Sequence, residues 1–196
     1  MQDDLECVIA FRETKLMSRI DETKTFVPVR IAVLTVSDTR VLSDDRSGDV
    51  LVDRVSGAGH QLAARAIVPD DVDAIRRQVK QWIADAAVDV IITTGGTGFT
   101  GRDVTPEALE PLFEKRMDGF SWVFHQISFQ KIGTSTVQSR ATAGVAGGTY
   151  IFCLPGSPGA CKDGWDGILS LQLDLRHRPC NFVEIMPRLD EHLKRG

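Results

Sequence analysis

The sequence predicts an α/β protein, a three-layer sandwich built on a mostly parallel central sheet. Two observations carry this prediction. β-Branched runs alternate along the chain with segments whose apolar residues recur at helical spacing, and the runs are continuous rather than alternating. Continuous apolar runs are typical of parallel strands covered on both faces, and strand–helix alternation implies crossover connections. The chain has no internal repeat, low-complexity tract or interdomain linker.

The apolar runs and turn signals place the individual elements. The predicted strands are Val29–Val36, Gln61–Val68, Val88–Thr94 and Thr149–Leu154. The predicted helices are Ser47–Ala58, Asp70–Ala86, a helix opened by Thr105, Gly119–Ile132 and Ala160–Leu175. Thr105-Pro106-Glu107 predicts a helix start with Thr105 as the N-cap. The small residues of Ala141–Gly148 are assigned to neither class.

Composition limits the class of protein. The 196 residues carry a formal charge of −4, with 42% hydrophobic and 26% charged residues. These values are ordinary for a globular domain, and a chain of this length needs no disulfide staple. The acidic balance argues against nucleic acid as a partner, which requires a basic footprint. A small phosphorylated ligand held by backbone amides is still compatible with it.

The ends of the chain and its cysteines suggest a domain boundary and a compartment. We expect residues 1–26 to form an N-terminal extension and residues 27–190 to form a single domain with a C-terminal tail. We hypothesise that translation begins at Met17, which would make 1–16 a start-site artefact; the alternative is a short N-terminal helix. Cys153 is expected in the core, and the widely spaced cysteines form no CxxC pair. Without a secretory signal or a bilayer-length apolar stretch, we expect a cytoplasmic protein with no membrane partner.

Three unusual loops follow predicted strands. They are Ser37–Arg40, which leads to Asp45–Gly48, then Thr94–Asp103, and Pro155–Gly159. Open α/β sheets bind ligands beyond the carboxyl ends of their strands. These loops are therefore expected to meet at one edge of the sheet.

The Thr94–Asp103 loop is the most informative of the three. Its glycines permit close approach of the backbone to a ligand, and amides before a helix suit an anion, although a flexible turn without a ligand is the alternative. It lacks the GK[ST] ending of a Walker A loop. Asp103 and Asp70 are expected beside it, where carboxylates near phosphates work through a divalent cation, favouring Mg²⁺. For Asp70 alone, a helix cap is favoured over a metal ligand.

Other polar and aromatic residues have simpler interpretations. Arg140 can meet a phosphate or a carboxylate, or form a surface ion pair. His125 lies among apolar residues and is interpreted as structural. Trp82, Trp122 and Trp165 fit core or interface positions better than a stacking platform.

Several segments resemble the MoaB/MogA family of molybdenum cofactor biosynthesis. The first is TGGTGFTGRDVTPEAL at residues 94–109. The others are VLTVSDTR (33–40), SGD (47–49), IGTSTVQSRATAGV (132–145), LPGSPGA (154–160) and RPCNF (178–182). The similarity covers about residues 27–190, and the last three segments are similar to the bacterial B-type branch in particular.

The resemblance implies a reaction and a set of site residues. The substrates would be molybdopterin and Mg-ATP, and the products adenylyl-molybdopterin and pyrophosphate. Family members form trimers or hexamers, and some dock other molybdenum cofactor enzymes. The family's two essential aspartates fall on Asp70 and Asp103, which would be catalytic and would hold Mg²⁺. The residues expected to bind substrate are Ser37, Asp45, Ser47, Gly48, Thr94, Gly95, Gly96, Thr97, Gly98, Thr105, Pro106, Glu107, Ser139, Arg140, Pro155, Gly156 and Ser157.

The intact segment Arg102–Glu107, together with Asp70, favours an active adenylyltransferase. Two alternatives remain, both non-catalytic. One is a carrier that binds molybdopterin, and the other is a scaffold protein in the same pathway.

Overall fold

A six-stranded mixed sheet forms the centre of the protein. The computed structural model describes residues 19–192, so the hypothesis about Met17 and residues 1–16 lies outside the described residues. The strands are β1 (Arg19–Ile20), β2 (Arg30–Val36), β3 (Gln61–Val68), β4 (Val90–Thr94), β5 (Lys115–Arg116), β6 (Thr142–Ala146), β7 (Thr149–Leu154) and β8 (His177–Arg178). The order in the main sheet is β3-β2-β4-β7-β6-β5, and β1 pairs separately with β8.

Helices cover both faces of this sheet. They are α1 (Arg46–Gly57), α2 (Val72–Ile83), α3 (Thr105–Leu109), α4 (Asp118–Ile132), α5 (Pro158–Gly164), α6 (Ser170–Gln172) and α7 (Phe182–Ile185). A π-helical turn, Trp165–Leu169, joins α5 to α6, so the predicted Ala160–Leu175 helix is three shorter pieces. The predicted α/β class with a mostly parallel sheet is confirmed, because β3, β2, β4 and β7 all run parallel.

Two hydrophobic clusters make the three layers. On one face, α1, α4 and α5 pack on alternate strand residues such as Ile31, Val33 and Phe152. On the other face, α2 and α3 pack on the intervening residues such as Leu34 and Ile91. Successive strand side chains point to opposite faces, so a continuous apolar run supplies both cores.

Sequence patterning missed β6, together with the two-residue strands β1, β5 and β8. In β6, residues Thr142–Ala146 are all buried and pair antiparallel with β7. Alanine and glycine give no strand signal, but here their small size is required by packing. A Cβ on Gly144 would lie 2.3 Å from the Phe113 ring. Tertiary context therefore overrides the weak local preference of this segment.

Two of the tryptophans and Cys153 lie in the core, and the third tryptophan lies at the surface. Trp82 and Trp165 lie in the core, whereas Trp122 is 67% exposed on the outer face of α4. Cys153 is fully buried, and burial raises the pKa of its thiol to about 12. In the part of the chain from residue 19 to 192, no helix is long and apolar enough to cross a bilayer.

Candidate functional site

The carboxyl ends of the parallel strands are level with one another. Val36 of β2 pairs with Val68 of β3, and Thr94 of β4 pairs with both Thr35 and Leu154. The loops that follow these strands therefore start at the same edge of the sheet, as the sequence predicts.

Glycines allow these loops to touch. Gly95 has φ +104°, and a Cβ there would lie 2.2 Å from the Val36 carbonyl oxygen. A Cβ on Gly156 would lie 3.0 Å from the Gly95 Cα atom. The Thr94 hydroxyl donates to the Pro155 carbonyl at 3.0 Å, and the Ser47 hydroxyl donates to the Gly156 carbonyl at 3.1 Å. The loops after β2, β4 and β7 are thus bonded into one surface.

A cavity of about 380 Å³ opens at this surface. Nine of the residues predicted for the site line it. These are Ser37, Asp45, Ser47, Asp70, Thr94, Gly95, Gly96, Asp103 and Gly156. Thr35, Val36, Arg40, Arg46 and Pro158 also line it and were not predicted. Arg40 and Arg46 had a sequence signal, because they lie inside the loop motifs, next to predicted residues.

Asp70 reaches the cavity from the loop between β3 and α2. It is not the helix cap: Asp71 caps α2 by accepting from the Ala74 amide at 2.8 Å. Instead, Asp70 and Asp38 each accept a hydrogen bond from the other's backbone amide, at 2.9 and 3.1 Å. Burial, with the charges of Asp38 and Asp103, raises the pKa of Asp70 above its ordinary value. Such a carboxylate is poised to gain from a cation.

Asp103 reaches the cavity from the glycine loop. Burial opposes its ionisation, but hydrogen bonds from Thr100 and from the Gly98 amide hold the pKa of its carboxyl below the usual range. The Thr100 amide donates to Asp103 Oδ2 at 2.8 Å. The absence of a side chain at Gly98 makes room for this carboxylate, since a Cβ there would lie 2.8 Å from Asp103 Oδ2. Asp103 is therefore an ionised acceptor fixed by its own loop.

Two carboxylates are donors of the kind that Mg²⁺ takes. Among residues 19–192, no group of three or more His, Cys, Asp or Glu side chains could hold a metal ion. Mg²⁺ keeps several waters and is usually bound by one or two carboxylates together with substrate phosphates. Gly96 leaves space beside Asp70, because a Cβ there would lie 2.9 Å from Asp70 Oδ1.

Two arginines line the same cavity: Arg40 in the β2–α1 connection, and Arg46 at the first position of α1. Arg46 has no hydrogen-bond or ion-pair partner for its guanidinium within the described residues. Arg40 makes only a 3.8 Å ion pair with Asp44, and both of those side chains are about half exposed. Solvent screening makes such pairs weak. The cavity thus offers two cations, Arg40 and Arg46, and two carboxylates, Asp70 and Asp103, to which no arginine or lysine is bonded among the described residues.

Several predicted residues support the site through side-chain hydrogen bonds to backbone atoms. Asp45 is 1% exposed and caps α1 through the Gly48 amide, while Arg65 and Thr35 donate to its other oxygen. Burial opposes its ionisation, but these donors hold its pKa low. Thr105 is not the cap of α3, which is Val104. Thr105 lies fully buried under the glycine loop, and its hydroxyl donates to the Gly95 carbonyl at 2.8 Å.

The remaining predicted residues do not line the cavity. They are Gly48, Thr97, Gly98, Thr105, Pro106, Glu107, Ser139, Arg140, Pro155 and Ser157. Ser157 caps α5 by accepting from the Ala160 amide. Arg140 forms more than a surface ion pair. It binds the Glu107 carboxylate and also donates to three carbonyl oxygens of the loop. His125, with both ring nitrogens at the carbonyls of Ser121 and Ser139, has a structural position.

The fold and the cavity define a class: an α/β protein whose polar cavity lies at the carboxyl edge of a mostly parallel sheet, where open sheets bind small ligands. A family model described as a probable molybdopterin binding domain matches residues 32–175. The chain therefore belongs to the MoaB/MogA family, and its role lies in molybdenum cofactor biosynthesis.

Relatives and solved structures agree with this assignment. Over 157 residues the chain is 54% identical to Molybdenum cofactor biosynthesis protein B of Escherichia coli (strain K12), covering 80% of this chain and 92% of the relative. A crystal structure of Molybdenum cofactor biosynthesis protein B matches with TM-score 0.77 at 34% identity, covering 86% of this chain and 99% of that chain. For the tungsten cofactor synthesizing protein MoaB from Pyrococcus furiosus the TM-score is 0.62 at 37% identity, covering 73% of this chain and 91% of that chain.

Proposed function

We propose that the protein adenylylates molybdopterin with Mg-ATP and releases pyrophosphate. The observation that carries this proposal is the charge arrangement of the cavity. Asp70 and Asp103 face it without an arginine or lysine bonded to either carboxylate within residues 19–192, while Arg40 and Arg46 line it from the β2–α1 connection and the start of α1. A nucleotide triphosphate with its cation presents the complementary pattern of anions and metal.

Charge repulsion is the main obstacle to this reaction. The terminal phosphate oxygen of molybdopterin forms a bond to the α-phosphorus of ATP, and the bond from that phosphorus to pyrophosphate breaks. Asp70 and Asp103 would hold Mg²⁺, which supplies charge neutralisation between the two phosphates. Arg40, Arg46 and the amides of the glycine loop bind and orient the anions. Positioning and electrostatics suffice for such a transfer, so no covalent enzyme intermediate is needed.

A turnover assay tests the proposal. Purified full-length protein is mixed with molybdopterin, ATP and Mg²⁺, and adenylyl-molybdopterin and pyrophosphate are followed together. Stoichiometric formation of both products supports the enzyme. Saturable molybdopterin binding without ATP-dependent product would support the carrier instead. No binding of either substrate would leave a scaffold.

We also propose that the reaction takes place in the cytoplasm.

Arg46 gives a prediction that separates nucleotide binding from pterin binding. Arg46→Gln is expected to raise the KM for ATP about tenfold, because a charged hydrogen bond to phosphate is lost. The KM for molybdopterin and kcat should change less than about threefold. Steady-state kinetics with each substrate varied in turn provide the measurement. Arg54→Gln is the matched control, since Arg54 lies on the same helix but pairs with Asp166 instead. Equal effects of the two variants would contradict the role given to Arg46.

We also propose that the protein assembles with copies of itself, as a trimer or hexamer, through α4. Its inner face packs Phe120 and Phe124 into the core, yet its outer face carries Trp122, Phe129 and Ile132, each more than half exposed. Positions 122, 129 and 132 share one side of a helix. A helix that is apolar on both sides is buried on both, and exposed aromatic clusters mark interfaces.

Trp122→Asp is expected to dissociate the assembly, because a charge at the centre of an apolar interface is desolvated without a partner. Light scattering coupled to size exclusion measures the molar mass. The wild type should give a multiple of the chain mass, and the variant the mass of one chain. Ser56→Asp, at an exposed position of α1, is the control. A monomeric wild type would contradict this proposal without bearing on the reaction.

A further inference from the structure

The guanidinium of Arg140 directs its hydrogen-bond donors to the glycine loop and to Glu107. Its Nε donates to the carbonyls of Gly98 at 2.9 Å and Thr97 at 3.3 Å, and its Nη2 donates to the Asp103 carbonyl at 2.8 Å. Its Nη1 binds the Glu107 carboxylate, and its backbone amide donates to the Thr97 carbonyl at 3.0 Å. The guanidinium thus joins both ends of the loop that carries Asp103.

These contacts fix the peptide bond between Thr97 and Gly98. A trans peptide points its carbonyl and its amide in opposite directions. The Thr97 carbonyl turns toward Arg140, so the Gly98 amide turns away from it. The Asp103 carboxylate packs against Gly98, since a Cβ there would lie 2.8 Å from Asp103 Oδ2. Arg140 lies outside the cavity, yet it contacts the peptide bond against which Asp103 packs.

Arg140 is itself rigidly placed. It lies two residues before β6, which is buried between β7 and β5. The Ser121 hydroxyl of α4 donates to the Ala141 carbonyl at 2.6 Å, and the His125 ring lies 3.0 Å from the Ser139 carbonyl. The residues on either side of Arg140 are thus anchored to α4. Arg140 therefore contacts the loop from a position that is itself held by contacts to α4 and by the buried strand β6.

We propose that Arg140 is a positioning residue that folds the 97–107 loop around its guanidinium and so places Asp103, rather than a residue that contacts the substrates. This inference rests on the proposed function only for its kinetic consequence. Lysine cannot replace arginine here, because one ammonium cannot reach acceptors spread around a planar fork. Displacement of a reacting group by about 1 Å can lower a rate about 100-fold.

Amide hydrogen exchange on full-length Arg140→Lys tests the placement without any activity assay. We expect faster exchange in peptides that cover residues 96–107 and unchanged exchange in β2 and β7. The matched control is Arg54→Lys, which replaces an arginine bound to Asp166 outside this loop. Loop exchange that matches the wild type would overturn the proposal, and so would equal acceleration in the control.

Kinetics distinguish positioning from substrate contact. In Arg140→Lys, kcat is expected to fall about 100-fold, with the KM for ATP and for molybdopterin within about threefold of wild type. Guanidinium ion added to Arg140→Ala should restore part of kcat, because it can refill the space between the loop carbonyls. A raised KM with unchanged kcat would overturn the proposal. A wild type without turnover would remove the proposed function, while the exchange experiment would still decide the role of Arg140.

Discussion

Replacing Asp103 with alanine is expected to lower kcat for adenylylation by about 10³-fold, while molybdopterin affinity changes less than about threefold. Asp103 lines the cavity and accepts from the Thr100 amide at 2.8 Å, and hydrogen bonding holds the pKa of its carboxyl below the usual range. Its proposed work is to hold the cation between two phosphates, and that need arises only when ATP and molybdopterin are bound together. The loss therefore falls on the transition state rather than on the binding of the pterin.

Two measurements check this result. Initial rates give kcat, and a titration with molybdopterin alone gives its affinity. Asp53→Ala removes an exposed carboxylate on α1 and serves as the control with wild-type behaviour. Parallel losses of rate and pterin affinity in Asp103→Ala would show that Asp103 binds the pterin directly, and the role given to it here would be wrong.

Asp70→Asn is expected to abolish turnover and to stabilise the protein. The activity loss follows from removing one of the two carboxylates proposed to hold Mg²⁺. The stability gain follows from burial and from the charges of Asp38 and Asp103, which disfavour an ionised Asp70. Asparagine keeps an oxygen that can accept from the Asp38 amide. A gain of about 1 kcal/mol would raise the Tm of a chain of this size by roughly 2–4 °C.

The pH dependence gives the sign of this effect. The pKa of Asp70 is raised in the folded chain, so the folded state binds this proton more tightly than the unfolded state. The stability linked to protonated Asp70 is present below its unfolded pKa, about 3.9, and is lost as the pH rises through the folded value. The advantage of Asp70→Asn should therefore grow from about pH 4 to pH 7.

Thermal unfolding of both proteins across this pH range provides the measurement. Mg²⁺ with ATP should raise the Tm of the wild type more than that of Asp70→Asn, because only the native site binds the pair tightly. A variant that is less stable than the wild type at pH 7 would show that Asp70 is a structural residue.

The cavity lining divides the predicted site residues into two groups. One group lines the cavity. The other group, which includes Thr105 and Arg140, lies outside the cavity and supports the loops by hydrogen bonding to their carbonyl oxygens. A sequence motif marks residues that the site requires, but it does not distinguish residues that contact the ligand from residues that support the loops. Thr105 as a helix cap is the clearest error, since Thr-Pro-Glu fits a helix start whether the hydroxyl caps the helix or bonds elsewhere. The tertiary structure distinguishes the two roles, because the Thr105 hydroxyl donates to the Gly95 carbonyl instead of capping the helix.

The sequence by itself determined the alternation of strands and helices and therefore the α/β class, the parallel strands and the edge at which the loops meet. Continuous apolar runs and glycine-rich loops are local signals, and local signals are sufficient for these features. Only the tertiary structure decided that Thr142–Ala146 is a strand, that Arg40 and Arg46 line the cavity and that Arg140 faces carbonyls. These outcomes depend on contacts between residues far apart in the chain, such as Gly144 with Phe113 and Arg140 with Thr97. No periodicity in the sequence encodes such contacts.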